Sequence, residues 1–392
     1  MDIKAEKWKS TLKKYGQEHL LNHYETLDDT HKKELLQQIE NINFELINQI
    51  YEHTKKEVKQ KQDVITPIEY LDKYKLYDDY KHYENIGKKE IKEGKLAAVT
   101  MAGGQGTRLG HDGPKGTKYG VTIPWFIMTS RENNKATIEF FEKHKYFGYE
   151  KDKNIFFFIQ GELPMTDTEG KILIGEDGLI KQAADGHGGI YESLVKSGMT
   201  QKMRQMGIEW VFIGGVDNCL VKMVDPVLMG IAIDKQVTVA CKSVVKANPQ
   251  EKVGVFCKRN GKPNVIEYSE ITEEMAEARD KEGELLYGEA HILCNLFNLN
   301  AIERMGETPL PYHVAYKKAT YLDKDGNLII PDSPNAYKFE AFLFDAFGVV
   351  DEMAVLRVKR EEEFAPVKNS DEAGVDCPKT ARELYKKFYK ID

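Results

Sequence analysis

The feature that most constrains this chain is a short apolar run that leads directly into a glycine-rich segment. The run, Leu96–Met101, is apolar at every position except Thr100. Its length and composition are typical of a strand buried on both faces of a parallel sheet. The segment after it reads Ala102-Gly103-Gly104-Gln105-Gly106-Thr107-Arg108-Leu109-Gly110. Ligands bind at the carboxyl ends of parallel strands, and glycine lets backbone N–H groups approach a phosphate or a base.

Further apolar runs of the same kind predict an α/β fold with a mainly parallel sheet. They are Ile155–Ile159, Val211–Ile213 and Val237–Ala240. Helices are predicted between them over Thr137–Tyr146 and Tyr191–Met206, which is typical of strand–helix crossovers. The two runs Val253–Cys257 and Val265–Tyr268 flank Gly261 and predict an antiparallel hairpin in or beside that sheet.

The chain divides into three predicted parts. Residues 1–90 form a helical part, because apolar residues from Leu35 to Ile50 recur at steps of three and four. Residues 91–350 form the core. Residues 351–392 form a small C-terminal part with a strand over Ala354–Val358 and a helix over Thr380–Tyr389.

Composition narrows the classes of function. The chain has 56 Lys and Arg against 63 Asp and Glu, a net charge of −7, which argues against a general nucleic-acid binder. Its apolar runs are much shorter than the roughly 20 residues that cross a bilayer, and Met1–Ser10 has no signal-peptide core. The five cysteines form no CxxC pair, which favours reduced thiols in a cytoplasmic protein over disulfides or a zinc site.

The glycine-rich segment matches neither of two well-known phosphate-binding patterns. The dinucleotide pattern GxGxxG requires glycine where Leu109 stands, and the P-loop pattern requires glycine where Pro114 stands. What remains is a glycine loop followed by the cations Arg108 and Lys115. Two cations beside a backbone cradle suit a polyphosphate, whereas the alternative is a tight turn with solvated cations.

The pattern GGxGTRLGxxxPKG at residues 103–116 resembles the uridylyltransferase signature of the UDP-sugar pyrophosphorylase family, and is most similar to the UDP-N-acetylglucosamine type. Further blocks agree with this family in order along almost the whole chain: Gln160–Pro164, Gly186–Gly189, Val216–Asn218, Val253–Val255, Glu267–Glu270, Cys294–Asn295, His313–Ala315, Pro334–Lys338 and Glu363–Asn369.

The resemblance implies a Rossmann-like, GT-A-like nucleotidyltransferase core and a reaction that joins UTP to a sugar 1-phosphate. The expected ligands are these two small molecules and Mg²⁺, with no nucleic acid and no membrane; the oligomeric state is left open, with a monomer favoured. Such a reaction proceeds by in-line attack on phosphorus, so positioning and charge stabilisation are needed rather than a nucleophilic side chain.

The resemblance also implies site residues. Arg108, Lys115 and Lys338 would neutralise the phosphates. Asp217 would hold Mg²⁺, although a helix cap is the alternative from local sequence. The nucleotide would contact Ala102, Gly103, Gly104, Gly106, Thr107, Gln160 and Gly188. The sugar would contact Gly254, Glu267 and Asn295; by itself, Glu267 reads as an ordinary strand carboxylate.

Three other polar residues receive no site role. Asp225 precedes Pro226 and is interpreted as a helix cap rather than a ligand. His313 and Lys317 are interpreted as structural or solvated side chains.

One departure from the family affects these expectations. Only about six residues separate Gly116 from Ile123, where the family has a stretch on the order of 30 residues that includes a helix. Either the link is made differently here or the chain is a shortened form, and an exposed apolar patch is predicted beside the glycine loop.

Three functions therefore stay open from sequence alone. The first is a uridylyltransferase acting on N-acetylglucosamine 1-phosphate. The second is a UDP-glucose or broad UDP-sugar pyrophosphorylase. The third is a non-catalytic nucleotide-binding homologue that lost activity with the shortened stretch.

Overall fold

The structure is a computed structural model that describes residues 3–55, 63–102 and 119–391, without the side chains of residues 3 and 4. Its α-helices, in chain order, are α1 (Ile3–Glu6), α2 (Lys9–Lys14), α3 (Asp29–Asn41), α4 (Phe44–Lys55), α5 (Asp79–Lys92), α6 (Asn134–Lys143), α7 (Ile190–Lys196), α8 (Met199–Gln205), α9 (Pro226–Asp234), α10 (Glu273–Glu277), α11 (Leu299–Glu307), α12 (Arg360–Glu363) and α13 (Pro378–Tyr389). Short 3₁₀ helices lie at Glu18–Leu21, Tyr24–Thr26, Lys73–Lys75, Lys145–Gly148, His187–Gly189, Leu343–Val349 and Asp371–Ala373.

The strands that accompany them are β1 (Ile65–Pro67), β2 (Leu71–Asp72), β3 (Leu96–Met101), β4 (Trp125–Thr129), β5 (Ile155–Ile159), β6 (Glu162–Pro164), β7 (Thr166–Asp167), β8 (Gln182–Ala184), β9 (Trp210–Gly215), β10 (Val239–Val245), β11 (Val255–Arg259), β12 (Lys262–Ile266), β13 (Glu289–Asn298), β14 (His313–Lys317), β15 (Tyr321–Leu322), β16 (Leu328–Ile329), β17 (Ala336–Glu340) and β18 (Ala354–Arg357).

The chain forms two compact units, each assembled from separate stretches of sequence. Unit 1 consists of Met1–Lys61, Gly161–Gly188 and Leu310–Phe342, and unit 2 of Gln62–Gln160, Gly189–Pro309 and Leu343–Asp392. The division into residues 1–90, 91–350 and 351–392 that the sequence suggests stays a prediction.

Unit 2 is built on one 11-stranded sheet. Its main order is β2-β18-β10-β13-β9-β3-β4-β5, with β1, β11 and β12 attached beside β13. Neighbours along this path are parallel except where β13 meets β10 and β9. The predicted α/β fold with a mainly parallel sheet is therefore confirmed.

The strands of unit 2 form where the sequence is continuously apolar. Every residue of β3 and of β4 is buried, as expected for strands that carry helices on both faces. The predicted hairpin is confirmed by β11 and β12, which pair antiparallel around the turn at Gly261. Between α7 and α8, by contrast, a single predicted helix is interrupted, because Gly198 adopts φ 75°, a left-handed conformation that ends the first helix.

Unit 1 has small sheets and its own apolar core. A 3-stranded sheet has the order β14-β17-β7, and β6 with β8 and β15 with β16 form 2-stranded sheets. Apolar residues of the N-terminal helices, among them Leu35, Ile39 and Ile47, pack with Ile172 and Ile180. The predicted helical start of the chain is confirmed for α1–α4, whereas β1 and β2 form strands in unit 2.

The glycine loop beside which an apolar patch is predicted lies outside the described residues. Strands β3 and β4 are parallel neighbours, and residues 102–124 connect them. Trp125 at the start of β4 is 4% exposed. Its ring centroid lies 5.4 Å from that of Phe141 in α6 and 5.7 Å from that of Tyr149. Trp125 is thus covered by neighbouring rings, whereas the exposed patch beside the glycine loop stays a prediction.

The cysteines differ in their exposure. None of the five forms a disulfide. Cys219 is exposed, whereas Cys241, Cys257, Cys294 and Cys377 are buried. No helix in the described part of the chain is both long enough and apolar enough to span a membrane.

Candidate functional site

The carboxyl ends of three neighbouring strands meet at one edge of the sheet in unit 2. Because β3 is parallel to both β4 and β9, Met101 lies opposite Met128 on one side and Gly215 on the other. Ala102, which follows β3, donates its N–H to the Met128 carbonyl at 2.8 Å. Its own carbonyl accepts from Asn133 Nδ2 at 2.7 Å. The start of the glycine-rich segment is therefore fixed at this edge, where open α/β sheets bind their ligands.

The predicted phosphate- and nucleotide-contacting residues that follow Ala102 lie outside the described residues, and their roles stay predictions. They are Gly103, Gly104, Gly106, Thr107, Arg108 and Lys115.

The two other predicted nucleotide contacts lie in different units. Gln160 follows β5 in unit 2, is buried, and donates its backbone N–H to the Thr129 carbonyl at 2.8 Å. Gly188 lies in unit 1, where its N–H donates to the Ala341 carbonyl at 2.8 Å. A Cβ at Gly188 would lie 2.7 Å from backbone atoms of Ala341 and Phe342, so packing within unit 1 already requires glycine there.

Asp217 lies in a short loop directly after β9, at the edge that carries Ala102. Residues 216–219 are called the Asp217 loop below. Asp217 is half-buried, and its Oδ1 occupies the space beside Gly215, since a Cβ there would lie 2.6 Å from that oxygen. No described residue forms an ion pair with the Asp217 carboxylate.

The donor set at this edge is compatible with Mg²⁺ shared between protein and substrate. In the described part of the chain no group of three or more His, Cys, Asp and Glu side chains could hold a metal ion. The described residues alone therefore do not supply a complete set of metal ligands. Mg²⁺ in phosphate-transferring sites is commonly held by one or two carboxylates together with substrate phosphates. Asp217 fits that arrangement.

Asp225 is a helix cap, as predicted. Its Oδ1 accepts from the N–H groups of Val227 at 3.0 Å and Leu228 at 3.3 Å, and Pro226 occupies the first turn of α9. A carboxylate here satisfies N–H groups that have no partner within the helix.

The three predicted sugar contacts lie close together in unit 2, but one of them is enclosed. A Cβ at Gly254 would lie 2.9 Å from Glu267 Oε1, and the Gly254 carbonyl accepts from the His291 N–H at 2.9 Å. Asn295 is 0% exposed. Its Oδ1 lies 2.9 Å from His291 Nε2, and its Nδ2 donates to the Ile213 carbonyl at 3.3 Å. The structure does not present Asn295 to a ligand, so its sugar contact stays a prediction.

Lys338 lies on β17 in unit 1, opposite Ala315 of β14. Its Nζ is part-buried and lies 2.6 Å from Glu340 Oε1. Its role at the phosphates stays a prediction. His313 on β14 stacks on Phe342 with ring centroids 4.5 Å apart, in keeping with the structural role expected for it.

The structure also reveals a group of charged side chains in unit 2 that sequence reasoning missed. Lys73, Asp225, Lys242 and Glu363, called the buried ion cluster below, make four contacts. Lys242 Nζ lies 2.8 Å from Asp225 Oδ2 and 2.5 Å from Glu363 Oε2. Lys73 Nζ lies 2.9 Å from Asp225 Oδ2 and 3.2 Å from Glu363 Oε1. In the sequence, the cluster is signalled by Lys242, a charged residue within the otherwise mostly apolar strand β10.

Mutual attraction keeps the cluster charged despite its burial. Burial raises the pKa of the Asp225 carboxyl, but Lys242 and Lys73 outweigh burial and hold that pKa well below its usual range. Burial also raises the pKa of the Glu363 carboxyl, but Lys242 and Lys73 lower it by more, so that this pKa lies below its ordinary value. Burial lowers the pKa of Lys242, whereas Asp225 and Glu363 raise it above its ordinary value. Paired in this way, buried charges are tolerated.

Comparisons with known proteins agree with this architecture. A family model described as UTP–glucose-1-phosphate uridylyltransferase matches residues 116–376, more than half of the chain. The UDP-N-acetylglucosamine pyrophosphorylase of Saccharomyces cerevisiae is 34% identical over 97% of this chain and 86% of its own length. UDP-N-acetylglucosamine diphosphorylase 2 of Arabidopsis thaliana is 34% identical over 95% of this chain and 82% of its own.

A human relative, UDP-N-acetylhexosamine pyrophosphorylase-like protein 1, is 37% identical over 77% of this chain, but the alignment spans 66% of that protein. Among solved structures, the uridine diphosphate N-acetylglucosamine pyrophosphorylase of Trypanosoma brucei, in complex with an inhibitor, aligns with a TM-score of 0.78 and 30% identity. That alignment covers 98% of this chain and 84% of the other. These matches confirm the resemblance seen in the motifs, and the chain belongs to the UTP–glucose-1-phosphate uridylyltransferase family.

Proposed function

We propose that this protein transfers the uridylyl group of UTP to N-acetylglucosamine 1-phosphate, giving UDP-N-acetylglucosamine and pyrophosphate. The observation that carries the proposal is the shared strand edge in unit 2. There, Ala102 begins the glycine-rich segment and Asp217 presents a half-buried carboxylate on the adjacent strand end. Relatives named for this activity match most of the chain, which supports the choice of sugar.

The reaction requires a held geometry rather than a reactive side chain. An oxygen of the sugar phosphate forms a bond to the α-phosphorus of UTP while the bond to the bridging oxygen breaks, and the electron pair leaves with pyrophosphate. Mg²⁺, when bound, neutralises charge on the phosphates. Asp217 would hold that ion, and the family resemblance assigns Arg108, Lys115 and Lys338 to the phosphates.

The sequence departure after Lys115 makes activity the decisive measurement. Purified protein is mixed with Mg²⁺, UTP and N-acetylglucosamine 1-phosphate, and pyrophosphate release is followed, with glucose 1-phosphate in parallel. We expect release that depends on the sugar phosphate, is lost with EDTA, and returns when Mg²⁺ is added in excess. Faster turnover of glucose 1-phosphate would instead establish a UDP-glucose or broad UDP-sugar pyrophosphorylase.

Two variants separate the site from a contaminating activity. Arg108→Ala should lower turnover about 100-fold or more, because one transition-state charge contact contributes several kcal/mol. Arg382→Ala, at an exposed position of α13, removes the same charge and should leave turnover unchanged. Folded protein that binds UTP but releases no pyrophosphate with either sugar would sink the proposal and identify a nucleotide-binding homologue.

A cytoplasmic location accompanies this proposal. It is supported by five cysteines, none of which forms a disulfide, as is usual in a reducing compartment. The monomeric state favoured from sequence stays a prediction, which sedimentation of the purified protein would check.

A further inference from the structure

The Asp217 loop is attached along its length to a second segment of unit 2. Residues 363–367, called the anchor segment below, begin at the last residue of α12. The Val367 N–H donates to the Asp217 carbonyl at 2.8 Å, and the Cys219 N–H donates to the Ala365 carbonyl at 3.0 Å. The loop that carries the predicted metal ligand is therefore held from outside its own strand.

Asn218 joins the same two segments through its side chain. It is 5% exposed. Its Nδ2 donates to the Glu363 carbonyl at 2.8 Å, while its Oδ1 accepts from the N–H groups of Ala365 at 2.9 Å and Leu220 at 3.1 Å. One buried amide thus satisfies three backbone groups and determines the distance between the loop and the anchor segment.

The anchor segment is itself fixed by the buried ion cluster. The Glu363 side chain is 0% exposed and contacts Lys242 on β10 and Lys73 at the distances given above. Lys222 Nζ approaches it at 3.6 Å. Because Lys242 also pairs with Asp225 at the start of α9, the first residue of the anchor segment is tied to a strand and to a helix.

We propose that Asn218 and Glu363 are positioning residues for the reaction, which hold the Asp217 loop so that its carboxylate meets the Mg²⁺–UTP complex without rearrangement. This inference rests on the proposed function. Neither side chain touches substrate: each acts through the backbone of the loop or the anchor segment. Displacing a reacting group by about 1 Å can cost about 100-fold in rate, so a loop that carries a metal ligand requires such support.

The first test is Asn218→Ala, because it removes the three hydrogen bonds to the backbone, together with a contact to Cys294 Sγ at 4.0 Å, without changing any buried charge. We expect kcat to fall about 10- to 100-fold, the usual cost of losing a group that orients a metal ligand. The Mg²⁺ concentration for half-maximal rate should rise by a similar factor, with the KM for the sugar phosphate within about 3-fold of the parent. Gln38→Ala is the matched control: in unit 1 its amide similarly bridges the N–H and the carbonyl of Ile180, at 2.8 and 3.0 Å.

The second test is Glu363→Gln, which keeps side-chain size and removes one buried charge. It should change kcat and the Mg²⁺ requirement in the same direction as Asn218→Ala. Glu289→Gln is the matched control, since Glu289 is also buried and ion-paired, with Arg357, but makes no hydrogen bond to the loop or anchor segment. Should Glu363→Gln fail to fold, Asn218→Ala decides the matter.

A binding measurement keeps this inference separate from the proposed function. Calorimetry of UTP binding with and without Mg²⁺ reports how much the metal increases the affinity for UTP. The variant Asp217→Asn gives the increase that remains when the ligand carboxylate is absent. In Asn218→Ala, the increase in UTP affinity caused by Mg²⁺ should fall close to that of Asp217→Asn, while the affinity for UTP without Mg²⁺ should equal that of the parent. A parent protein that shows Mg²⁺-dependent binding but no turnover would contradict the proposed function only. Folded Asn218→Ala with the parent's Mg²⁺ dependence would overturn the positioning role.

Discussion

Asp217 and Asp225 stand eight positions apart in one chain connection of unit 2, yet their surroundings differ. Asp217 is half-buried, and no described residue forms an ion pair with it. Asp225 is buried, caps α9, and contacts Lys73 and Lys242. A carboxylate with two built-in cations has no need of a metal ion, whereas one that lacks them can bind one. Two residues of the same type therefore differ in role because, among the described residues, only one of them is paired with cations: Asp225 is structural, whereas Asp217 can serve as a metal ligand.

The largest expected effect falls on stability, at Asp225. Asparagine there keeps the oxygen that caps α9 but leaves Lys73 and Lys242 short of one negative charge. Breaking a buried ion pair on one side costs about 3–5 kcal/mol, and we expect that loss in the free energy of unfolding measured with urea.

Asp280→Asn provides the control for that comparison. Asp280 Oδ1 accepts from two backbone N–H groups, at 2.8 and 3.0 Å, but the residue is exposed. Its substitution should change the unfolding free energy by less than about 0.5 kcal/mol. Equal losses at Asp225 and Asp280 would show that the ion cluster contributes no more than the cap.

A somewhat smaller effect, on turnover rather than stability, is expected at Asp217. Asp217→Asn should lower kcat about 100- to 1,000-fold, equivalent to about 2.7–4 kcal/mol, because an amide oxygen holds a divalent cation poorly. The melting temperature should remain close to that of the parent. Pyrophosphate release and thermal unfolding measured on one preparation check both parts. A large drop in melting temperature would assign Asp217 to the structural class with Asp225.

The smallest effect concerns pH. Asp225 and Glu363 have pKa values lowered in the folded state, so each contributes stability that is present above its unfolded pKa of about 4. That stability is lost as pH falls through the lower folded pKa. The unfolding free energy should therefore decrease steadily below about pH 5. Asp225→Asn should make this decrease shallower, as measured by urea unfolding between about pH 3 and pH 7; an unchanged slope would contradict the assignment.

Elements with strong local signals were predictable. The apolar runs at β3 and β5, the hairpin turn at Gly261 and the cap at Asp225 each depend on residues close in sequence. Elements that depend on distant partners were not. The short strands β1 and β2 exist only because β11 and β18 pair with them.

The same reasoning explains what was found and missed at the site. Asp217 could be placed at the strand edge because it follows a recognisable buried strand. The buried ion cluster could not be predicted, because Lys73 and Glu363 are brought together across most of the chain. The enclosure of Asn295 depends on His291 and Ile213, which its own sequence block does not reveal.

The discontinuity of unit 1 has a consequence for how the chain is made. Apolar side chains of α3 and α4 pack with Ile172 and Ile180, and β17 ends at Glu340. Ile47 is the last residue of α3 and α4 in this core. At about 5–20 residues per second, a ribosome needs about 7–27 s to proceed from Ile47 to Ile180. Throughout that interval the apolar faces of α3 and α4 lack the residues that bury them in the folded protein, and a chaperone can bind them. Arrested nascent chains should become resistant to protease over the helical region only once they extend beyond residue 180 and out of the ribosome.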